Sequence, residues 1–222
     1  MDLDDALDHL GAVRRSLSSQ ERQGKPARAL TAERTYPAPA EDVWDAVTDP
    51  ERLPRWFLPV EGDLREGGRY QLVGNAGGLI ERCDPPRSLS VTWEMGEAVS
   101  WVELSLTERD GSTTLVLTHV ALVDEFAATY GPGAVGVGWD LSLMGLAKHL
   151  EDPSVAVDHA AAEAWSVGDE GRAFMTRSSD AWCEADVAGG TDPADARARA
   201  DRTTAFYLGE AAPEDGHAGG HA

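Results

Sequence analysis

The sequence predicts an α+β chain in which a curved antiparallel sheet wraps around a long helix, with one helix before that unit and further helices after it. Three observations predict this. Between Val60 and Val120 apolar residues recur with a period of two, in short runs separated by turn residues. One strand and two short helical pieces precede those runs, and a long apolar stripe from about Val135 to Leu150 follows them, carrying Trp139, Leu143, Leu146, Ala147 and Leu150. The connections between runs are too short for crossovers, so neighbouring strands must be antiparallel.

Element by element, Leu3, Leu7, Leu10 and Leu17 fall at helical steps, and the polar stretch Ser18 to Lys25 reads as a linker. A first strand is expected over Ala29 to Tyr36, stopped by Pro37 and Pro39. A short helix then begins near Ala40, with Val43, Trp44 and Val47 on its packing face, and a second helical piece is expected over Glu51 to Phe57. Strands are expected over Gly68 to Val73, Leu79 to Cys83, Ser88 to Glu94, Val99 to Glu108 and Thr113 to Val120. Asp110-Gly111 is a strong hairpin signal between the last two. Asp152-Pro153 ends the long helix, and an Ala-rich helical pattern continues to Gly189-Gly190. Thr191 is placed to cap a last helix that opens at Pro193 and reaches Tyr207. The chain thus divides into an N-terminal helix and linker (1–25), a central domain (26–152), a helical extension (153–210) and a disordered tail (211–222).

Composition narrows the function classes. With 42% hydrophobic residues and 7 Trp among 222 residues, the chain can bury a substantial core. Its net charge of −20 opposes binding to nucleic acid or to an anionic membrane surface, because both need concentrated positive charge. No stretch is apolar for long enough to span a bilayer. The acidic N-terminus lacks the features of a secretory signal, so a cytoplasmic location is expected. Cys83 and Cys183 are far apart and outside any C-x-x-C spacing, which fits reduced thiols rather than a disulfide or a thiolate metal site. Neither a metal nor a cofactor is expected. His217 and His221 lie in the Gly-rich tail, and His9, His149 and His159 have no partner at ligand spacing.

Four blocks carry more than their order: YPAPAEDVWDAVTDPERLPRWF (Tyr36 to Phe57), ERCDPPRSLSVTWE (Glu81 to Glu94), TTLVLTHVAL (Thr113 to Leu122) and GWDLSLMGLAKHLE (Gly138 to Glu151). Together they resemble the SRPBCC superfamily, whose START-like fold is the helix grip. More narrowly they resemble the bacterial branch homologous to the C-terminal domain of the activator of heat shock protein 90 ATPase. The resemblance covers about Ala29 to Glu151. It implies a cavity between the sheet and the long helix, and it implies no single chemistry. The extension past Pro153 resembles tails of actinobacterial members of that branch.

Strand parity selects the residues expected to face such a cavity. Leu89, Val91 and Trp93 share one face, as do Val102, Leu104 and Leu106, then Leu115, Leu117 and His119, and on an earlier strand Tyr70 and Leu72. From the long helix Trp139, Leu143 and Met144 would face them, while Trp56 and Phe57 would close one end. Candidate ligand contacts are therefore Trp56, Phe57, Tyr70, Leu72, Trp93, Leu104, His119, Trp139, Leu143 and Met144. Trp44 and Val47 are assigned to packing, and Glu81 and Glu103 to the outer face. No nucleophile elbow, phosphate loop or HExxH motif is present.

Three functions remain open at this stage. The first is binding of a small, largely apolar molecule without catalysis. The second is a reaction of the polyketide cyclase or aromatase kind with His119 as acid or base, the one histidine on an inward-facing strand. The third is a chaperone-linked protein-binding module. Trp165, Phe174, Trp182, Phe206 and Tyr207 in the extension need burial, either against the domain or against a second copy or another protein.

Overall fold

The computed structural model describes residues 2–211. The tail expected beyond Ala211, with His217 and His221, lies outside the described residues. Helix α1 (Leu3–Gly11) opens the chain, its first turn capped by the Asp2 carboxylate, which accepts from the Asp5 N–H. Strands β1 (Arg14–Arg22) and β2 (Lys25–Tyr36) follow, then α2 (Ala40–Thr48) and a 3₁₀ turn at Leu53–Arg55. Strands β3 (Val60–Gly62), β4 (Arg69–Leu72), β5 (Gly77–Asp84), β6 (Ser88–Met95), β7 (Ala98–Arg109) and β8 (Ser112–Leu122) come next. Helices α3 (Glu125–Tyr130), α4 (Gly133–Glu151), α5 (His159–Val167), α6 (Asp169–Ala188) and α7 (Pro193–Leu208) complete the described chain.

All eight strands form one antiparallel sheet in the order β1-β2-β8-β7-β6-β5-β4-β3. The hairpin read at Asp110-Gly111 joins β7 to β8, both residues having positive φ (52° and 76°), as a two-residue turn of this kind requires. The concave face carries the main core, in which Tyr36, Val102, Leu106, Leu115 and Leu117 pack against Leu143 and Leu146 of α4.

The N-terminal region differs from the sequence reading. Residues 18–25 are not a linker, because β1 pairs with β2 along its whole length and turns at Gln23-Gly24, again with positive φ (54° and 72°). The α1 helix ends at Gly11, so Leu17 belongs to the strand. Its alternation is masked in the sequence because one of its inward positions is an arginine. Arg15 sits beside Leu17 in the i, i+2 pattern, and an inward cation breaks the apolar alternation that marks a half-buried strand. Residues 14–22 are thus part of the sheet rather than an appendage to it, while residues 3–11 form the expected helix.

Smaller differences concern ends. The helical piece expected over Glu51 to Phe57 is only the 3₁₀ turn, and β3 was not foreseen because three residues are too few to show a period. The cap of α7 is Asp192, which accepts from Ala194 and Asp195 N–H, while the Thr191 hydroxyl donates to Asp186.

The inward arginine has a purpose in the packing. Arg15 donates twice to the Asp140 carboxylate of α4, at 2.9 Å through Nη2 and 3.1 Å through Nε. The same carboxylate accepts from the Ser178 hydroxyl and, at 3.0 Å, from the Trp182 indole of α6. Asp140 is completely buried, and burial pushes its carboxyl pKa upward against the pull of Arg15. One buried group therefore joins β1, α4 and α6. Trp182 lies so close to α4 that a Cβ on Gly136 would stand 2.5 Å from the indole, which explains a glycine in mid-helix. Phe174 packs with Ala6, Leu10 and Met144, so the extension rests on α1 and α4.

Removing one partner of a buried, fully hydrogen-bonded ion pair leaves the other charge unpaired. Asp140→Asn is expected to destabilise the fold by about 3 kcal/mol or more, read as a lower urea midpoint at unchanged slope. A loss below about 0.5 kcal/mol would show that Arg15 finds water or another acceptor there.

Candidate functional site

Between the concave face and α4 lies a cavity of about 170 Å³. Strands β4 to β8 supply inward residues by parity, among them Tyr70, Leu72, Val91, Trp93, Leu104 and Leu117. Helix α4 supplies Trp139, Leu143 and Leu146, spaced to lie on one face. The segment after α2 closes one end with Leu53, Trp56 and Phe57, the last two rings stacked at 5.5 Å. Leu64, 39% exposed, sits where the cavity reaches the surface.

Eight of the ten residues singled out from sequence meet here: Trp56, Phe57, Tyr70, Leu72, Trp93, Leu104, Trp139 and Leu143. Met144 does not. It is one residue past Leu143, about 100° further round the helix, and packs with Ala6, Leu10 and Phe174 on the opposite side. The aromatic residues of the extension were expected to need burial, but nothing in the sequence directed them to this side of α4. His119 points inward as its parity requires but stands behind the cavity wall, covered by Trp139. Val47, assigned to packing, also lines the cavity, whereas Trp44 belongs to the core as expected. Ile80, Cys83, Leu89 and Leu115 were not singled out as contacts, although alternation on their strands placed Leu89 and Leu115 inward.

The polar tips in the wall are satisfied by the protein itself. The Tyr70 hydroxyl donates to the Thr92 carbonyl at 2.8 Å, and the Trp56 indole donates to the Ala46 carbonyl at 2.8 Å. The Thr48 and Ser142 hydroxyls donate to carbonyls one turn back in their helices, Trp44 and Gly138. Among the described residues no charged side chain lines the cavity, and burial raises the Tyr70 and Cys83 pKa values, which keeps both neutral near pH 7.

His119 is held in a short relay. Trp139 Nε1–H donates to His119 Nδ1 at 3.0 Å. That indole can only donate, so Nδ1 is the bare nitrogen and Nε2 carries the proton. Nε2–H in turn donates to Ser100 Oγ at 2.8 Å, and Ser100 donates to the Trp93 carbonyl at 3.1 Å. The pairing of Ser100 with a histidine is therefore not a nucleophile with its base, because the tautomer points the proton at the serine rather than away from it. Trp93 and Trp139 pack edge to face at 5.1 Å, which makes the relay and the cavity wall one aromatic cluster.

On the outer face, Glu81 and Glu103 lie where parity put them and pair with Arg22, whose guanidinium covers the Trp101 ring at 4.8 Å. Among the described residues no cluster of acidic, histidine or cysteine side chains could hold a metal ion, and no helix is long and apolar enough to cross a membrane.

A sheet closed over a long helix with an internal cavity defines the protein as a START-like helix-grip protein of the SRPBCC kind. Within that class the chain belongs to the family described as Activator of Hsp90 ATPase homolog 1-like protein, whose model matches residues 37–151. Among solved structures, the crystal structure of CalU16 from Micromonospora echinospora is 34% identical, with a TM-score of 0.65 over 78% of this chain and 98% of that one. The solution structure of CalU16 agrees, at 33% identity and a TM-score of 0.67 over 81% and 97% of the two chains. Protein MLL2253 from Mesorhizobium loti, 20% identical with a TM-score of 0.51 over 57% of this chain and 98% of that one, shares the fold. No curated protein matches the sequence.

Burial pushes the His119 pKa down to about 4 from an ordinary 6.5. The unfolded chain therefore binds the extra proton first, and the stability tied to neutral His119 is present above about pH 6.5 and lost as the pH falls toward about 4. The expected loss across that window is about 3 kcal/mol from this residue, measured by urea unfolding at several pH values. Nitrogen NMR should meanwhile find the Nε2–H tautomer at neutral pH, and a protonated ring at about pH 6 would contradict it.

Proposed function

We propose that this protein encloses a small, uncharged, largely apolar molecule between its sheet and α4, without transforming it. The observation that carries this reading is the chemistry of the wall. The tips of Trp56, Tyr70, Thr48, Ser142 and Trp139 all donate to protein acceptors, which leaves a guest mainly apolar contact area. An apolar cavity of this order is large enough to stay dry and accept a ring-sized hydrocarbon. A carboxylate or ammonium inside it would lose its hydration with no ionic partner in return.

The cyclase or aromatase alternative needs an imidazole nitrogen open to the cavity. Trp139 and Ser100 occupy both nitrogens of His119, and Trp139 stands between the ring and the guest, so that alternative has less support. A protein-binding role for the extension, as a homodimer contact or a chaperone-linked surface, is also less favoured. Trp182 and Phe174 are buried within the chain, although Phe206 remains 59% exposed.

Titration with N-phenyl-1-naphthylamine, a neutral apolar dye, tests the reading directly. Wild type is expected to enhance its fluorescence, and Leu104→Trp, which fills the cavity from β7, to weaken binding at least about tenfold, equivalent to about 1.4 kcal/mol. Overpacking costs about 1–3 kcal/mol of stability, so the variant should remain folded. Failure of wild type to bind any neutral apolar probe, or equal binding by Leu104→Trp, would remove the support for an internal ligand.

A further inference from the structure

The segment that closes the cavity is fastened by very few groups. Leu53, Trp56 and Phe57 form the wall, yet apart from one bond to Val157 the backbone bonds of the 3₁₀ turn that carries them are short-range, such as Phe57 N–H to the Leu53 carbonyl at 2.9 Å. Its other polar ties to the rest of the protein run through two arginines and one indole. Trp56 reaches α2 through the Ala46 carbonyl. Arg55 donates to the Ser154 carbonyl at 2.9 Å, and its own carbonyl accepts from Val157 N–H at 2.7 Å, so the chain leaving α4 straps it. Arg52 holds the remaining side: its Nε donates to Nε2 of His149, on the last turn of α4, at 2.9 Å.

That last contact exists in only one protonation state. An arginine Nε–H can only donate, so His149 Nε2 must offer a lone pair and the ring must be neutral. The other nitrogen, Nδ1, then carries a proton and is buried without a hydrogen-bond partner among the described residues. The charged groups facing His149 are Arg52 and Arg55 from the 3₁₀ turn and Asp42 from α2, the last already paired with Arg52 at 2.6 Å. Burial, then the two arginines, hold the His149 pKa below its ordinary value, with Asp42 opposing.

We propose that Arg52 and His149 form a proton-sensitive latch on the cavity: with His149 neutral the latch holds the Trp56–Phe57 cap closed, and protonation sets two cations against each other and frees the cap. Asp42 can neutralise only one of them, and it already belongs to Arg52. Trp56 and Phe57 then lose the Arg52 tie to the last turn of α4 while the Arg55 strap and the Arg52–Asp42 pair persist, and the cavity opens beside Leu64. As a means of controlling exchange, the latch rests on the reading that the cavity holds a guest; as a motion of the cap, it does not.

Hydrogen exchange at single amides, corrected for the intrinsic effect of pH, tests the motion in the full chain without any ligand. Between about pH 7.5 and about pH 5 the wild-type Trp56 and Phe57 amides are expected to lose protection about tenfold for each unit by which the His149 pKa is depressed. Leu117, in mid-sheet, should keep its protection over the same range. His149→Gln places a neutral carbonyl where Nε2 was, and should keep both cap amides protected at either pH. Arg52→Gln, a second variant should the first fail to fold, removes the cation, and should loosen the cap equally at both pH values. A wild-type cap indifferent to pH overturns the latch. So does an acid response that survives in His149→Gln or Arg52→Gln. The dissociation rate of N-phenyl-1-naphthylamine, faster in acid for wild type only, connects the motion to the cavity. If the dye does not bind at all, the ligand reading fails while the exchange data still decide the latch.

Discussion

The structure depends on one helix being buried from two sides. On one face α4 presents Trp139, Leu143 and Leu146 to the sheet and the cavity, and on the other it presents Gly136, Asp140 and Met144 to α1 and α6. Such a helix cannot hide its polar groups in water, so each must find a partner inside. Asp140 finds Arg15, Ser178 and Trp182, and those bonds fix where β1 and α6 must lie. The charge is costly to bury, but once buried it makes the packing of three elements interdependent. Arg15 reinforces this by also donating to the Val13 and Leu10 carbonyls, which ties the end of α1 to the start of the sheet.

A similar division of labour shapes the cavity. Aromatic residues with a polar tip are useful in a cavity wall because the ring supplies contact area while the tip can be turned into the protein. Trp56, Tyr70 and Trp139 all do this, each toward an acceptor outside the cavity. The arrangement leaves the enclosed space apolar without leaving a buried donor unsatisfied. It also explains why His119, the most suggestive residue by type, sits behind the wall. There it accepts a hydrogen bond from the Trp139 indole, whose ring packs edge to face against Trp93.

Much of this could be read from the sequence, and the exceptions share a cause. Trp93, Leu104 and Leu117 were placed correctly because alternation in a strand leaves no choice once one face is buried. The β1 strand was read as helix and linker because its inward Arg15 is intelligible only beside Asp140, 125 residues away. Met144 was placed in the cavity because a single stripe was expected on α4, and nothing local says that a second layer covers its back. The latch between Arg52 and His149 could not be read at all, since neither residue type nor spacing joins positions 97 apart.

The sequence by itself determined the class of fold, the order and direction of the strands β4 to β8, and which of their residues face inward. These follow from short-range periodicity and turn chemistry, which act over a few residues and leave their mark in the chain. Only the tertiary structure decided that β1 joins the sheet, that the extension lies against α4 rather than projecting from it, and which inward residues meet a cavity instead of one another. Those outcomes depend on pairings between distant polar groups and on the volume left after all side chains have packed, and neither quantity belongs to any local stretch of sequence.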